Sequence, residues 1–160
     1  MTDVPQPGQN APAFSAPNQN GEMINLEDFQ GKWLILYFYP KDDTPGCTTE
    51  AKDFSAFVED FHQLGAQILG VSTDSQQKHC KFIDKYNLTI PLLSDPEHQV
   101  ADGYGVWKLK KFMGKEYMGI ERTTFLISPD RKIAYTWSKV KVKEHAEAVL
   151  KQLQVVLSET

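Results

Sequence analysis

Two nearly continuous apolar runs in the first half of the chain predict buried β-strands. Residues 33–39 read WLILYFY, and residues 66–72 read AQILGVS. Strands without polar alternation are typical of a mostly parallel sheet that is covered on both faces. Between the runs, apolar residues recur at steps of three and four, which predicts an amphipathic helix that ends at Gly65. These residues are Ala51, Phe54, Phe57, Val58, Phe61 and Leu64. The pattern therefore predicts a β-α-β unit.

The second half of the chain continues this alternation of helices and strands. Ser75 is predicted to begin a helix that runs to about Tyr86, and PLLSD, residues 91–95, a short strand. Residues 119–128, GIERTTFLIS, predict a longer strand, and KIAYTWS, residues 132–138, its hairpin partner. Strands that alternate with helices in this way indicate an α/β fold.

The chain ends in a predicted helix over residues 142–157, where apolar residues again follow helical spacing. A length of 160 residues fits one domain with a buried core, so we expect residues 1–160 to form a single domain. Residues 1–12 are polar and rich in proline, and we expect them to form a flexible or extended N-terminal segment.

Composition excludes several classes of protein. The net charge is 17 − 21 = −4, which argues against nucleic acid as the main partner. No apolar run approaches the roughly 20 residues that span a bilayer, and the first residues lack a secretory leader pattern. We therefore expect a cytoplasmic protein without membrane contact. The histidines show no spacing typical of a zinc site. A basic stretch in the second half of the chain is interpreted as a solvated loop. The stretch contains Lys108, Lys110, Lys111 and Lys115.

The chain has only two cysteines, Cys47 and Cys80, and one of them lies at a predicted helix start. In TPGCTTE, Thr44 is a good N-cap, Pro45 suits the first helical position, and Gly46 allows a close approach to the backbone. Cys47 then occupies the third helical position, where free N–H groups and the helix dipole favour an anion. A thiolate nucleophile fits this position.

Two neighbouring carboxylates, Asp42 and Asp43, oppose a thiolate at Cys47, so the site needs a cation. Lys41 and Arg122 are the candidates. In the predicted strand over residues 119–128, Arg122 shares one face with apolar residues, and a charge among apolar neighbours usually has a partner. The partner of Arg122 is either the Cys47 thiolate or a carboxylate at the surface. Cys47 itself is either a nucleophile or a small buried apolar residue.

The segment LYFYPKDDTPGCTTEA carries a P-x-x-x-T-x-x-C pattern at Pro40, Thr44 and Cys47. It resembles the active-site signature of the peroxiredoxins, in particular the bacterioferritin comigratory protein or peroxiredoxin Q subgroup. The stretches APAFSAPNQNG, LLSDPEHQVADGYGVW and GIERTTFLISPD extend this resemblance over nearly the whole chain.

The resemblance implies a thioredoxin-like fold with a central mixed sheet flanked by helices. It also implies reduction of hydrogen peroxide and organic hydroperoxides through a sulfenic acid, without a metal or an organic cofactor. Carried over to this sequence, Cys47 is the peroxidatic cysteine and Thr44 the threonine that hydrogen-bonds the peroxide. Arg122, the Thr44 hydroxyl and the backbone N–H of Cys47 are the expected hydrogen-bond donors to the departing oxygen. Pro40 shields the pocket, and Arg122 stabilises the thiolate and the transition state. Glu50 suits the helix dipole and is also placed to orient Arg122.

The chain departs from the subgroup where the second, resolving cysteine is expected. One usual position holds Lys52, and the other aligns with Ile83. Cys80 lies one helical turn before Ile83, so it is the candidate resolving cysteine, and its disulfide with Cys47 would require local unwinding of one or both helices. If Cys80 is inert, an external thiol must attack Cys47 directly.

The resemblance further implies recycling by thioredoxin or a similar dithiol protein, and we expect a monomer or weak dimer. The alternative to an enzyme is a redox sensor of the same fold that signals through oxidised Cys47. A holdase-like interaction protein is a third class, but nothing in the sequence calls for it.

Overall fold

The computed structural model describes residues 3–159, so Met1, Thr2 and Thr160 lie outside the description. Nine strands are assigned in this part of the chain, together with a short 3-10 helix at Leu26–Phe29. The strands are β1 (Ser15–Pro17), β2 (Met23–Asn25), β3 (Trp33–Phe38), β4 (Ala66–Ser72), β5 (Leu92–Ser94), β6 (Trp107–Phe112), β7 (Lys115–Ile120), β8 (Thr123–Ile127) and β9 (Ile133–Trp137). The helices are α1 (Pro45–Ala56), α2 (Val58–Gln63), α3 (Gln76–Tyr86), α4 (Gln99–Gly103) and α5 (His145–Ser158).

Five of the strands form a central mixed sheet in the order β5-β4-β3-β8-β9. β3, β4 and β5 are parallel to one another, whereas β8 runs antiparallel to both β3 and β9. The predicted β-α-β unit is confirmed, and so is the predicted pairing of residues 132–138 with the strand before them. β3 lies at the centre, so the loop that follows it is placed at the middle of one sheet edge.

Each face of this sheet carries its own apolar cluster. Alternate residues of β3 point to opposite faces: Ile35 and Tyr37 join one cluster, and Leu36 and Phe38 join the other. The first cluster is covered by helices and includes Phe54, Phe61, Phe82, Val149 and Leu153. The second lies under the N-terminal hairpin and α4 and includes Phe14, Leu26, Val100, Tyr104 and Phe125. A strand buried on both faces explains the run WLILYFY.

The predicted helix that follows β3 is interrupted. α1 ends at Ala56 and α2 begins at Val58, while Phe57 lies between them with φ −100° and ψ 6°. The continuous helix was therefore wrong, because apolar spacing does not reveal a local change in backbone direction. The predicted stop is confirmed, since Gly65 has φ +80° directly after the last turn.

The single long strand predicted over residues 119–128 was also wrong. β7 pairs with β6 in a separate hairpin, whereas β8 pairs with β3 and β9 in the central sheet. Because the two halves belong to different sheets, the chain turns between Ile120 and Thr123. Ile120 and Leu126 consequently join opposite clusters rather than one face. Arg122 lies in the turn, outside both strands.

The basic stretch forms the β6-β7 hairpin, not the solvated loop that we expected. Its register pairs Lys108 with Gly119 and Lys111 with Glu116, so successive side chains alternate between the two faces of the hairpin. Apolar side chains on it are exposed, Met113 at 87% and Phe112 at 66%. The hairpin and the loop after β3 line one cavity together, to which the loop contributes Pro40 and the hairpin contributes Lys110.

The described part of the N-terminal segment contains a turn at residues 7–9 and lies against the start of β9. Gly8 N–H donates to Ile133 O at 2.8 Å, and Ala11 N–H donates to Arg131 O at 2.9 Å. The expectation for residues 1 and 2 lies outside the described residues. No helix between residues 3 and 159 combines the length and the apolar character that crossing a membrane requires.

Candidate active site

The first turn of α1 places Cys47 where unpaired backbone N–H groups converge. Thr44 is the N-cap, Pro45 is the first helical residue, and the helical hydrogen bonds begin with Thr48 N–H donating to Thr44 O at 2.8 Å. The N–H groups of Gly46 and Cys47 precede this ladder and face the helix start. Cys47 is 1% exposed, so its sulfur meets the helix dipole in a dry environment. The predicted third helical position of Cys47 is confirmed.

Arg122 connects this sulfur to a buried carboxylate. Its Nη2 donates to Cys47 Sγ at 3.3 Å, and its Nη1 donates to Glu50 Oε1 at 2.7 Å. Cys47 and Glu50 are three residues apart on α1 and therefore share one face of the helix. The two N–H groups of one rigid guanidinium serve both partners at once, a geometry that lysine cannot reproduce.

The backbone around Arg122 explains how the guanidinium reaches α1 from a distant part of the chain. Glu121 N–H donates to Val106 O at 2.8 Å, and Val140 N–H donates to Arg122 O at 3.0 Å, so the turn is fixed on both sides. At α1, a Cβ on Gly46 would lie 3.2 Å from Arg122 Nη2. The predicted close approach at Gly46 is thus made by the guanidinium itself.

The alternative partner considered for Arg122, a carboxylate at the surface, was wrong. Glu50 is 1% exposed, and Arg122 binds it together with the cysteine. Lys41, the other candidate cation, has an exposed side chain. Cys47 likewise differs from a small apolar core residue, because its sulfur accepts a charge-assisted hydrogen bond.

Glu50 and Arg122 form a buried ionisable pair with opposing effects. Burial raises the pKa of Glu50 from 4.5 to about 7, against the Arg122 guanidinium, which lowers it. Oε2 of Glu50 has no hydrogen-bond partner among the described residues, so only one carboxylate oxygen is satisfied. Burial also acts to lower the pKa of Arg122, but Glu50 and Cys47 raise it more, and it ends above the ordinary value. Arg122 is therefore a permanent cation beside the sulfur.

Thr44 and Pro40 lie in the loop between β3 and α1. Thr44 Oγ1 donates its single proton to Lys41 O at 2.9 Å, which leaves only its lone pairs for another molecule. The prediction that this hydroxyl donates a hydrogen bond to the peroxide was therefore wrong; it is placed to accept one. Pro40 follows the end of β3, is half-buried, and forms part of the wall of the cavity shared with the β6-β7 hairpin.

Partners that the sequence did not reveal compensate the two carboxylates that oppose a thiolate. Asp42 Oδ2 lies 2.7 Å from Nδ1 of His79, a fully buried residue of α3, and Asp42 Oδ1 accepts from Tyr39 Oη at 2.6 Å. The other ring nitrogen of His79 lies 2.9 Å from Leu93 O. Two acceptors on one imidazole imply that a proton is shared between His79 and Asp42. His79 and Asp42 are 37 residues apart, so no local spacing could indicate this pair.

Asp43 is compensated at the surface. Its carboxylate accepts from Lys85 Nζ at 2.9 Å and from Tyr86 Oη at 2.5 Å. Both hydrogen bonds lower the pKa of Asp43, Tyr86 first and Lys85 second. Together with the pairing of Asp42, this leaves Arg122 as the charged group that contacts the sulfur directly.

Cys80 has different surroundings from Cys47. Its thiol donates to Gln19 O at 3.1 Å and faces a surface cavity that it shares with Gln76. Both cysteines are free thiols. Of the two usual resolving positions, Lys52 is exposed and Ile83 packs partly against the first apolar cluster. Within residues 3–159, no cluster of three histidine, cysteine or acidic side chains is placed to hold a metal ion.

Replacement of Glu50 tests its buried carboxyl through the pH dependence of stability. The pKa of Glu50 is about 7 in the folded chain and 4.5 for an exposed carboxyl. Between these two pH values the folded chain therefore keeps a proton that the unfolded chain has lost. As the pH rises, the free energy of unfolding of the wild type should therefore fall by up to about 3 kcal/mol, and that of Glu50→Gln should not show this fall. Urea unfolding at about pH 5 and about pH 8 measures this difference.

Glu59→Gln is the matched control, because Glu59 is exposed on α2 and its replacement should leave the slope of stability against pH as in the wild type. If the wild type gained stability relative to Glu50→Gln as the pH rises, the ion pair with Arg122 would outweigh burial, and the assignment would be overturned.

Comparison with known proteins places this chain in a family. The model of the AhpC/TSA family matches residues 7–136. Peroxiredoxin Bcp of Bacillus subtilis (strain 168) is 54% identical over 147 residues, which cover 92% of this chain and 94% of that protein. Peroxiredoxin Bcp of Escherichia coli (strain K12) is 45% identical over 147 residues, with the same two shares.

Solved structures agree with these sequence relatives. Xanthomonas campestris peroxiredoxin Q is similar with a TM-score of 0.85 and 44% identity, over 89% of this chain and 90% of that one. Xylella fastidiosa PrxQ is similar with a TM-score of 0.87 and 36% identity, over 98% of this chain and 99% of that one. The predicted thioredoxin-like fold is confirmed. The chain belongs to the AhpC/TSA family and, within it, to the peroxiredoxins of the Bcp or Q type.

Proposed function

We propose that this protein is a thiol-dependent peroxidase that reduces hydrogen peroxide and organic hydroperoxides at Cys47. The observation that carries the proposal is the guanidinium of Arg122, which contacts Cys47 Sγ at 3.3 Å while Glu50 holds its other end. A related structure, of the Xanthomonas campestris bacterioferritin comigratory protein, concerns alkyl peroxide reduction by that protein. The family membership and the site geometry favour the same chemistry.

The reaction begins with attack by the Cys47 thiolate on the terminal oxygen of the hydroperoxide. A sulfur–oxygen bond forms as the O–O bond breaks, and the departing alkoxide or hydroxide takes up a proton to leave as alcohol or water. Cys47 is oxidised to a sulfenic acid, and the peroxide is reduced by the same two electrons. Negative charge grows on the departing oxygen, so donors already aimed at the site lower the barrier. Arg122 and the N–H group of Cys47 are these donors.

Thr44 and Pro40 have supporting roles in this proposal. The lone pairs of Thr44 Oγ1 accept the O–H of the bound hydroperoxide, since its own proton is donated to Lys41 O. This orients the O–O bond toward the sulfur. Pro40, with no N–H group to attract water, covers the site from the end of β3.

Regeneration of Cys47 requires a second thiol, and we assign it to Cys80. Attack of Cys80 on the sulfenic acid forms a disulfide and releases water, and an external dithiol such as thioredoxin then reduces the disulfide. The Cys80 thiol donates to Gln19 O, so its sulfur must leave this contact to reach Cys47, and we expect local unwinding of one or both helices in this step. Two free thiols suit a reducing cytoplasm, and we expect the protein to act there as a monomer or weak dimer.

Turnover with a chemical reductant distinguishes an enzyme from a redox sensor. With dithiothreitol in excess, the wild type should consume many equivalents of hydrogen peroxide per chain. Cys47→Ser should lose at least about a thousandfold in rate, since it lacks the nucleophile. Peroxide loss measured over time gives the stoichiometry. Consumption of a single equivalent per chain, with reductant still present, would support the sensor and contradict the enzyme.

Mass spectrometry after one equivalent of hydrogen peroxide tests the role of Cys80. We expect an intramolecular disulfide in the wild type and a lasting sulfenic acid on Cys47 in Cys80→Ser, because the sulfenic acid then has no internal thiol to attack it. A wild type that keeps its sulfenic acid and forms no disulfide would show that an external thiol attacks Cys47 directly.

A further inference from the structure

A cavity of about 260 Å³ opens beside Pro40, between the loop after β3 and the β6-β7 hairpin. Its walls are largely apolar and include Trp107, Met118 and Ile120. Met118 is 45% exposed, so this surface is open to solvent and not filled by the protein core. The cavity is large enough for an organic body of roughly ten heavy atoms.

The charged residues that line this cavity are all cationic. Lys41 and Lys110 belong to the lining, and no carboxylate between residues 3 and 159 does. The neighbouring lysines of β6 are paired, Lys108 with Glu121 at 2.9 Å and Lys111 with Glu116 at 3.5 Å. Lys110, in contrast, has no ion pair within residues 3–159, although it is half-buried. A half-buried lysine without an ion pair of its own favours an anion from outside the chain.

The ammonium of Lys110 interacts electrostatically with the sulfur of Cys47. Burial lowers its pKa, and the nearby charge of Arg122 lowers it further, while Cys47 and Glu121 raise it. Its aliphatic chain packs against the hairpin backbone, since a Cβ on Gly119 would lie 3.4 Å from Lys110 Cδ. The hairpin therefore holds the stem of Lys110 against its own backbone, at the wall of the cavity.

We infer that this cavity binds organic hydroperoxides that carry a carboxylate, and that Lys110 is the residue that recognises the carboxylate. The apolar body of such a substrate lies against Trp107 and Met118, and its hydroperoxide group extends past Pro40 toward Cys47. Hydrogen peroxide has no carboxylate and gains nothing from this contact. The inference rests on the proposed peroxidase function and adds to it a preference among substrates.

The test compares two substrates of nearly the same shape that differ in charge. These are cumene hydroperoxide with a carboxylate in the para position of the ring and its methyl ester, with hydrogen peroxide as reference. At low salt, kcat/KM of the wild type should be about five to ten times higher for the acid than for the ester, as one partly buried ion pair provides. In Lys110→Met this ratio should fall to about one.

Two further variants separate recognition by Lys110 from a general effect of positive charge. Lys110→Arg keeps the cation in the cavity and should retain most of the preference for the acid. Lys111→Met removes a lysine that is 76% exposed, bonded to Glu116, and outside the lining, so its ratio should equal that of the wild type. A ratio of substrates, measured within one variant, is insensitive to a general loss of activity.

Equal kcat/KM for acid and ester in the wild type would overturn the inference, and so would a preference that persists in Lys110→Met. Either result, with hydrogen peroxide still turned over, would leave the peroxidase function intact. Failure of the wild type to turn over hydrogen peroxide would overturn that function and this inference with it.

Discussion

The guanidinium of Arg122 is the contact on which the rest of the active site depends. One nitrogen binds Glu50 and another binds Cys47, and the two partners are 72 and 75 residues away in the sequence. Helix α1 supplies both partners on one face, and the turn between β7 and β8 supplies the cation. The central sheet fixes these elements relative to each other, because β8 lies directly beside β3. The fold thus holds one planar cation against one sulfur.

Charge balance explains why other polar groups surround this contact. A buried sulfur that carries negative charge tolerates a cation but not uncompensated carboxylates. Asp42 and Asp43, which are closest in sequence, are bound by His79 and Lys85 respectively. Both partners lie on α3, the helix that also carries Cys80. Unwinding of α3 would therefore disturb the electrostatic surroundings of the loop before α1 as well as move Cys80.

Local patterns predicted most of the fold but fewer of the contacts in the site. Continuous apolar runs identified β3 and β4, and the TPGC segment identified the start of α1, since these signals depend on neighbouring residues. The split at Ile120 was missed because both halves have the pattern of a strand, and only their pairing partners differ. The partner of Asp42 and the cavity beside Lys110 depend on contacts between distant segments, which no local spacing encodes. The strand pattern and the family resemblance both indicated Arg122, and Glu50 was already a candidate to orient it; the structure added the hydrogen bond that joins the two side chains.

Single-turnover oxidation of Cys47 by hydrogen peroxide, in the wild type and in Arg122→Lys, tests the central claim most directly. Lysine keeps the positive charge but cannot donate to Glu50 and the sulfur together. Rapid-quench mass spectrometry of the Cys47 peptide should show oxidation slowed by about a hundredfold in Arg122→Lys, as loss of one preorganised donor implies. Oxidation within about threefold of the wild-type rate, in a variant of unchanged stability, would mean that the bridging geometry is not what activates Cys47.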